Sequence, residues 1–278
     1  LFENVLWVAL VLFVLASLLR GGRAGFLLGS LGWFLFAVYW SDKPGYYLGI
    51  GDYFNVAATV GAAVFSVFMG YAMFRNGLAR LRVDSLVMVT SATAAGGFTY
   101  FLFSEVSRLN AGLIGAVTNQ TLWLLSLFEP SASLAGWNVI SVNGRLVEII
   151  LACTAIQSMA LFVGVIASVR ASWKRMSLAF LVSVPVIYLL NLVRNAFVVA
   201  AYGEGWFGMP DESFYIAHSV IAKIGSTIAL FLIAYAVLRI LPEVVDMIDG
   251  VWRLFKMLRP PGRGETGGME FRDGGDAG

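Results

Sequence analysis

A single cysteine, Cys153, and a single histidine, His218, are the scarcest side chains in this sequence. One cysteine excludes an internal disulfide and any cysteine-based zinc cluster. No other set of residues has metal-ligand spacing, so neither a metal nor a cofactor is expected. Charge is scarce as well. Only 13% of residues are Asp, Glu, Lys or Arg, and a net charge of +2 is too small to argue for a nucleic-acid partner. No internal repeat is visible. The opening apolar run lacks a basic n-region and a small-residue cleavage site, so it is expected to be a span rather than a signal peptide.

What is abundant is apolar surface. Hydrophobic residues make up 59% of the chain, and the mean hydropathy is +0.81. That composition implies an all-α fold, a polytopic transmembrane helical bundle. Seven apolar runs stand out: about Val5 to Leu19, Gly25 to Tyr39, Tyr53 to Phe74, Leu86 to Phe103, Ile149 to Val169, Leu178 to Ala201 and Phe214 to Leu238. Each is near the ~20 residues that cross the hydrocarbon, the first two being short.

The basic residues give the expected orientation. Arg20 and Arg23 separate runs one and two, and Arg75, Arg80 and Arg82 separate three and four. Arg170, Lys174 and Arg175 separate five and six, and Arg239, Arg253, Lys256 and Arg259 follow the seventh. The alternate connections carry Asp42, Lys43 and Asp52, then Glu204, Asp211 and Glu212. By the positive-inside rule the N-terminus is outside and the C-terminus cytoplasmic. Residues 1–242 are then expected to form one transmembrane domain, whose candidate functional part is about 148–238. Residues 243–278 are a cytoplasmic amphipathic helix, about Val244 to Leu258, and a Gly-rich, charged tail expected to be disordered.

The long connection from Ser104 to Glu148 falls on the outer side. Glu105 to Leu127 has helical apolar spacing and is expected to form an amphipathic helix on the membrane surface. Asn143-Gly144, between two β-prone runs, predicts a short hairpin leading directly into the Cys153 segment. Asn119-Gln120-Thr121 is a glycosylation sequon in the same connection.

Counted from the outer ends of their runs, Cys153 and His218 both lie ~6 Å deep, and Arg194 lies ~10 Å deep. Three successive late spans therefore offer a thiol, a guanidinium and an imidazole near one interface. A thiol is a strong nucleophile once deprotonated, and an adjacent imidazole or cation promotes that. The imidazole can protonate a leaving amine, and the guanidinium can bind a developing oxyanion. Taken singly, a lone cysteine in an apolar helix is ordinarily packing, and a lone histidine an interfacial polar residue. Arg194 resists that reading, because intramembrane charge is costly. Lys223 is a competing cation that can snorkel, pair with a carboxylate or bind lipid phosphate. No carboxylate orients His218 unless Glu148 or Glu212 folds in.

Three stretches resemble the exosortase/archaeosortase family of membrane cysteine transpeptidases. They are Ala152-Cys153-Thr154-Ala155-Ile156-Gln157-Ser158, the run from Asn191 through Arg194 and Asn195 to Val198, and Ala217-His218-Ser219 with Gly225 following. The Thr-Ala-Ile-Gln-Ser continuation looks most like the archaeosortase branch. The resemblance covers roughly Glu148 to Leu238. It implies cleavage of a C-terminal sorting signal outside the membrane, of Pro-Gly-Phe type in that branch, coupled to attachment of a membrane lipid. Its typical clients are S-layer glycoproteins. Carried over by position, Cys153 is the nucleophile, Arg194 an oxyanion or substrate ligand, and His218 the acid/base. Gln157, Asn191 and Asn195 are candidates for substrate binding or support. The rival readings are an intramembrane cysteine protease that uses water, and a transporter or lipid-binding protein in which Arg194 and Lys223 hold an anion.

Overall fold

The computed structural model describes residues 2–19, 22–79 and 83–258. Arg20, Arg80, Arg82 and Arg259, and the tail expected to be disordered, lie outside the described residues. The chain opens with α1 (Phe2–Leu18), α2 (Arg23–Ser41), the short α3 (Lys43–Gly49), α4 (Tyr53–Ala79) and α5 (Asp84–Glu105). Helix α6 (Ser107–Ser126) and three strands, β1 (Ser133–Gly136), β2 (Val139–Val142) and β3 (Arg145–Glu148), form the long connection. After it come a 3-10 turn (Leu151–Thr154), α7 (Ile156–Ser168), α8 (Trp173–Glu204) and α9 (Pro210–Phe214). A π-helical segment (Tyr215–Ile221) then leads into α10 (Ala222–Ile240), and α11 (Glu243–Leu258) follows.

This is an all-α polytopic membrane protein. Five helical stretches are long and apolar enough to cross a membrane: Arg23–Gly49, Tyr53–Ala79, Asp84–Glu105, Trp173–Glu204 and Pro210–Ile240. Asn4–Leu18 and Ile156–Ser168 are apolar but shorter. With 13 residues, α7 reaches only ~20 Å. The sequence suggested one span from Ile149 to Val169. The structure divides that run at Ala155, whose backbone takes the left-handed conformation (φ 57°), so the Cys153 turn and α7 are separate elements.

The helices pack in two groups. Around Phe13, Trp33, Phe36, Met69, Met73 and Leu86, the first group (α1, α2, α4 and α5) builds an aromatic-rich core. The second (α7, α8 and α10) packs Met159, Phe162, Ile187, Ile233 and Val237 together. Helix α5 joins them by approaching α7 closely through glycine. A Cβ added at Gly96 would meet the Ala160 carbonyl oxygen at 2.8 Å, and one at Gly164 would meet that of Ala92. Without a hydrophobic driving force inside lipid, such backbone-to-backbone approach is a main source of helix association.

The predicted hairpin is the β2–β3 turn. Asn143 (φ 51°) and Gly144 (φ 78°) both have positive φ, as a two-residue type I′ turn demands. Val142 pairs with Arg145 across it, and β1 adds a third antiparallel strand beside β2 that the sequence reading did not include. The sheet is fastened to the far end of α8. Asn143 Nδ2 donates to the Glu204 carboxylate, Arg145 donates to the Tyr202 carbonyl, and Val142 packs directly on Gly203. Helix α6 forms as expected and packs its buried side, Ile114, Val117 and Leu125, with Ile140 and Val142 of β2. Within the sequon Asn119 is exposed on α6 and donates its amide to Gly115 O at 2.9 Å, whereas Thr121 is fully buried.

Helix α11 also forms. It returns against α5, where Gly250 meets Ser85, and Arg175 at the start of α8 holds the carboxylate of Glu243 through two nitrogens at 2.7 and 2.8 Å.

Candidate active site

The position of Cys153 is set from both sides. Upstream, Asn138 and Ile149 lock the end of the sheet. Ile149 N donates to Asn138 O at 2.8 Å, and Asn138 Nδ2 donates to Ile149 O at 3.0 Å and to the Glu148 carboxylate at 3.1 Å. Only Ile150 separates this lock from the 3-10 turn. Within the turn, Cys153 N donates to Ile150 O at 2.8 Å and Thr154 Oγ1 to Leu151 O at 2.7 Å. Downstream, Ala155 reverses into the left-handed region and starts α7. A non-glycine residue there costs of order 1–3 kcal/mol, and it persists only where its surroundings over-determine it.

The surroundings that do so come from α8. Asn191 and Asn195 are buried, lie four residues apart on one face, and both donate their side-chain amides to the carbonyl oxygen of Cys153, at 2.7 and 2.8 Å. A bend that leaves its carbonyl without a helical partner thus receives two donors. The sequence marked these two residues as substrate ligands or supports. The structure shows support of the backbone at Cys153.

Arg194 lies between them in sequence. Its Nη2 is 3.5 Å from Nδ1 of His218, across from α8 to the π segment. Phe214, four residues before His218, stacks on the imidazole with 5.1 Å between centroids and 13° between planes. This platform was not part of the sequence reading, although the i, i+4 spacing of an aromatic and a histidine was visible. The π segment itself is the less predictable feature. Such wide turns are rare and are frequent at functional sites.

Of the three sequence candidates, two are in side-chain contact and the third is linked to the same stretch of α8 through its backbone. Arg194 and His218 approach each other directly. Cys153 is tied to the same stretch of α8 through its backbone carbonyl, and its side chain is half-buried against the apolar cluster around the sheet. No carboxylate hydrogen-bonds His218 among the described residues. Glu148 instead serves Asn138, and Glu212 caps the N-terminus of α9 by accepting from Met209 N at 3.3 Å.

A cavity of about 440 Å³ opens beside these contacts, between the start of α7, the middle of α8 and α10. Ala152 and Ala155 on either side of Cys153 line it, with Gln157, Asn191, Arg194 and Lys223. Cys153 and His218 are not in the lining. The remaining wall is largely aliphatic, from Ile187, Leu190 and Val193 on α8 to Leu230 and Ile233 on α10. Among the described residues, no group of three or more His, Cys, Asp or Glu side chains is placed to hold a metal ion.

Two curated proteins are similar to this chain along most of its length. Archaeosortase A of Haloferax volcanii is 27% identical over 283 residues, covering 88% of this chain and 91% of its own. Archaeosortase A of Natronomonas pharaonis is 27% identical over 249 residues, covering 78% and 76%. No solved structure gives a significant match. The transmembrane exosortase family model (Exosortase_EpsH) matches residues 4–238, from α1 to the last turns of α10. The match takes in the first four apolar helices as well as the Cys153, Arg194 and His218 region, so the chain as a whole, and not its second half alone, belongs to the transmembrane exosortase family.

Proposed function

We propose that this protein is a membrane cysteine transpeptidase. It cleaves a C-terminal sorting signal from secreted proteins on the outer side of the membrane and passes the new carboxyl end to a membrane lipid. The observation that carries this reading is the contact of Arg194 with His218 beside the two asparagine hydrogen bonds to the Cys153 carbonyl. In sequence Arg194 lies between those asparagines. Two relatives named archaeosortase A support the archaeosortase reading, and it is the resemblance to that branch that implies a Pro-Gly-Phe type of signal and S-layer glycoproteins as the client class. The alternation of basic connections supports an outside N-terminus, seven spans and a site near the outer face.

In this mechanism the Cys153 sulfur attacks the scissile carbonyl carbon. Its proton passes through His218 to the leaving nitrogen as the C–N bond breaks, which releases the C-terminal helix and leaves a thioester. Arg194, already pointed at the imidazole, donates to the oxygen on which charge develops. A nucleophilic group of the lipid then attacks the thioester, its proton returns to Cys153, and the lipid-bound product leaves. The aliphatic wall of the cavity favours this acceptor over water by limiting hydration.

The test is intact-protein mass spectrometry of a Pro-Gly-Phe client incubated with the enzyme in membranes, wild type against Cys153→Ala. Loss of the C-terminal helix with added lipid mass, in wild type only, is the expected result. Loss without added mass identifies a protease that uses water. Processing that survives Cys153→Ala overturns the nucleophile assignment.

A further inference from the structure

The cavity beside the site carries two cations and no acid. Lys223 on α10 and Arg194 on α8 line it from facing helices, and its described lining contains neither aspartate nor glutamate. Neither cation forms an ion pair among the described residues. Each lies within a helix apolar enough to cross a membrane, where an unpaired charge is costly and marks function by default. Two like charges bordering one apolar cavity also repel, and the low dielectric strengthens that repulsion. A counter-charge supplied from outside the chain removes both costs at once.

The rest of the lining defines what carries that charge. Ser226 and Thr227 follow Lys223 within one turn, and Gln157 and Ser158 face it from the start of α7, so hydrogen-bond donors surround the cations. Thr227 donates to Lys223 O at 2.8 Å, which fixes the backbone under the ammonium. Beyond them the wall is aliphatic, with Leu190 and Val193 opposite Leu230 and Ile233. A ligand that satisfies both halves has an anionic head and a hydrocarbon tail. The approach is open laterally, because only 17% of the apolar window in Pro210–Ile240 is buried against the protein. A volume near 440 Å³ holds a headgroup and the first part of its chains, while the tails extend into the bilayer.

We propose that this cavity is a phospholipid headgroup subsite in which Lys223 binds the phosphate. Basic pockets between transmembrane helices bind anionic headgroups in this way, and lysine serves phosphate as a point charge. The proposal rests on the reading of the enzyme as a lipid transpeptidase. It adds that the acceptor lipid is phosphate-bearing and is held by a residue outside the Cys153, Arg194 and His218 set.

The experiment measures lipid binding without any client, so it is independent of catalysis. Purified full-length protein is incubated with phosphatidylglycerol or with diacylglycerol, which lacks the phosphate, and retained lipid is read by native mass spectrometry. Wild type and Cys153→Ala should both retain phosphatidylglycerol over diacylglycerol. Lys223→Gln should weaken that retention at least ~10-fold, the worth of one lost charge-assisted contact, and Lys223→Arg should restore most of it. As a second route, Gly225→Leu should also exclude the lipid. An added Cβ at Gly225 meets no atom within 4 Å, so the larger side chain fills the cavity without disturbing its neighbours.

Equal retention by wild type, Lys223→Gln and Gly225→Leu overturns the subsite. Displacement of the lipid by millimolar inorganic phosphate overturns the lipid as the source and leaves a free-anion site. If Lys223→Gln raises the KM for client while lipid retention is unchanged, the charge serves an acidic group of the client and the proposal is wrong. Lys223-dependent retention in a protein that processes no client leaves the subsite standing and removes the transpeptidase reading instead.

Discussion

In helices α1, α2, α4 and α5 polar side chains bond across the packing, Trp40 Nε1 being left without a partner, whereas α8 and α10 each present a cation to a cavity. In the first group, Trp33 donates to Thr90 at 3.0 Å, and Thr90 lies 3.2 Å from the Met73 sulfur while donating to Leu86 O at 2.8 Å. Ser30 donates across the helices to Gly70 O at 2.8 Å. Rings of Phe13, Trp33, Phe36, Tyr39 and Phe101 surround these pairs edge to face. In the second group, two cations line a cavity, and a histidine leans on an arginine. Burial follows the same division, 50% of the apolar window in Arg23–Gly49 against 17% in Pro210–Ile240. One group is arranged for stability. The other presents two cations to a cavity, with no ion pair for either among the described residues.

The sharpest test of that division is Cys153→Ala. Processing should fall by at least ~10³-fold, as for removal of other catalytic nucleophiles, while the melting temperature in detergent stays at the wild-type value. A loss of both would mean that the cysteine is packing. Trp33→Ala is the converse. It should destabilise the protein by about 3–5 kcal/mol, the usual cost of removing a large buried ring. The Michaelis constant of the protein that remains folded should not change. A changed Michaelis constant would break the separation between the groups.

The double change Asn191→Ala and Asn195→Ala lies between these extremes. It strips both donors from the Cys153 carbonyl, a loss of about 1–3 kcal/mol for a buried acceptor left unmet. The rate of client cleavage should fall by roughly two orders of magnitude through misplacement of the sulfur, with restoration of either asparagine recovering most of it. The smallest effect belongs to Glu243. Hydrogen bonds from Arg175 hold its carboxyl below the ordinary value. A lowered carboxyl contributes stability above its unfolded value, near pH ~4.3, and loses it as pH falls through the folded value. Glu243→Gln should therefore cost no more than about 1 kcal/mol at neutral pH, and melting curves of the two proteins should converge in acid.

Composition and local chemistry carried much of this into view. Apolar runs located the long helices, Asn143-Gly144 located a type I′ turn, and an arginine inside an apolar run pointed to the site before any contact was known. Geometry that depends on two elements meeting was out of reach. The two amide bonds to the Cys153 carbonyl require α8 to cross the turn at one height, and spacing along α8 states only that Asn191 and Asn195 share a face. The break at Ala155 was hidden for a different reason. Alanine is the best of helix formers, so nothing local signals a left-handed residue there. Strand β1 escaped because Ser133 to Gly136 has little β propensity of its own and is paired by β2.

The π segment has a consequence for angular phase. Each residue of an α-helix advances the side-chain direction by about 100°, and a wider turn absorbs a residue without that advance. His218 lies inside the segment and Lys223 just beyond it, so the wide turn sets the angle between them. Deleting one residue between Tyr215 and Ile221 would let the helix rewind as α. Directions from Lys223 onward would then be kept, while the residues of the segment, His218 among them, would turn relative to the lysine. Chain length in that short stretch acts as a dial, and at its present setting the imidazole meets Arg194 while the lysine looks into the cavity.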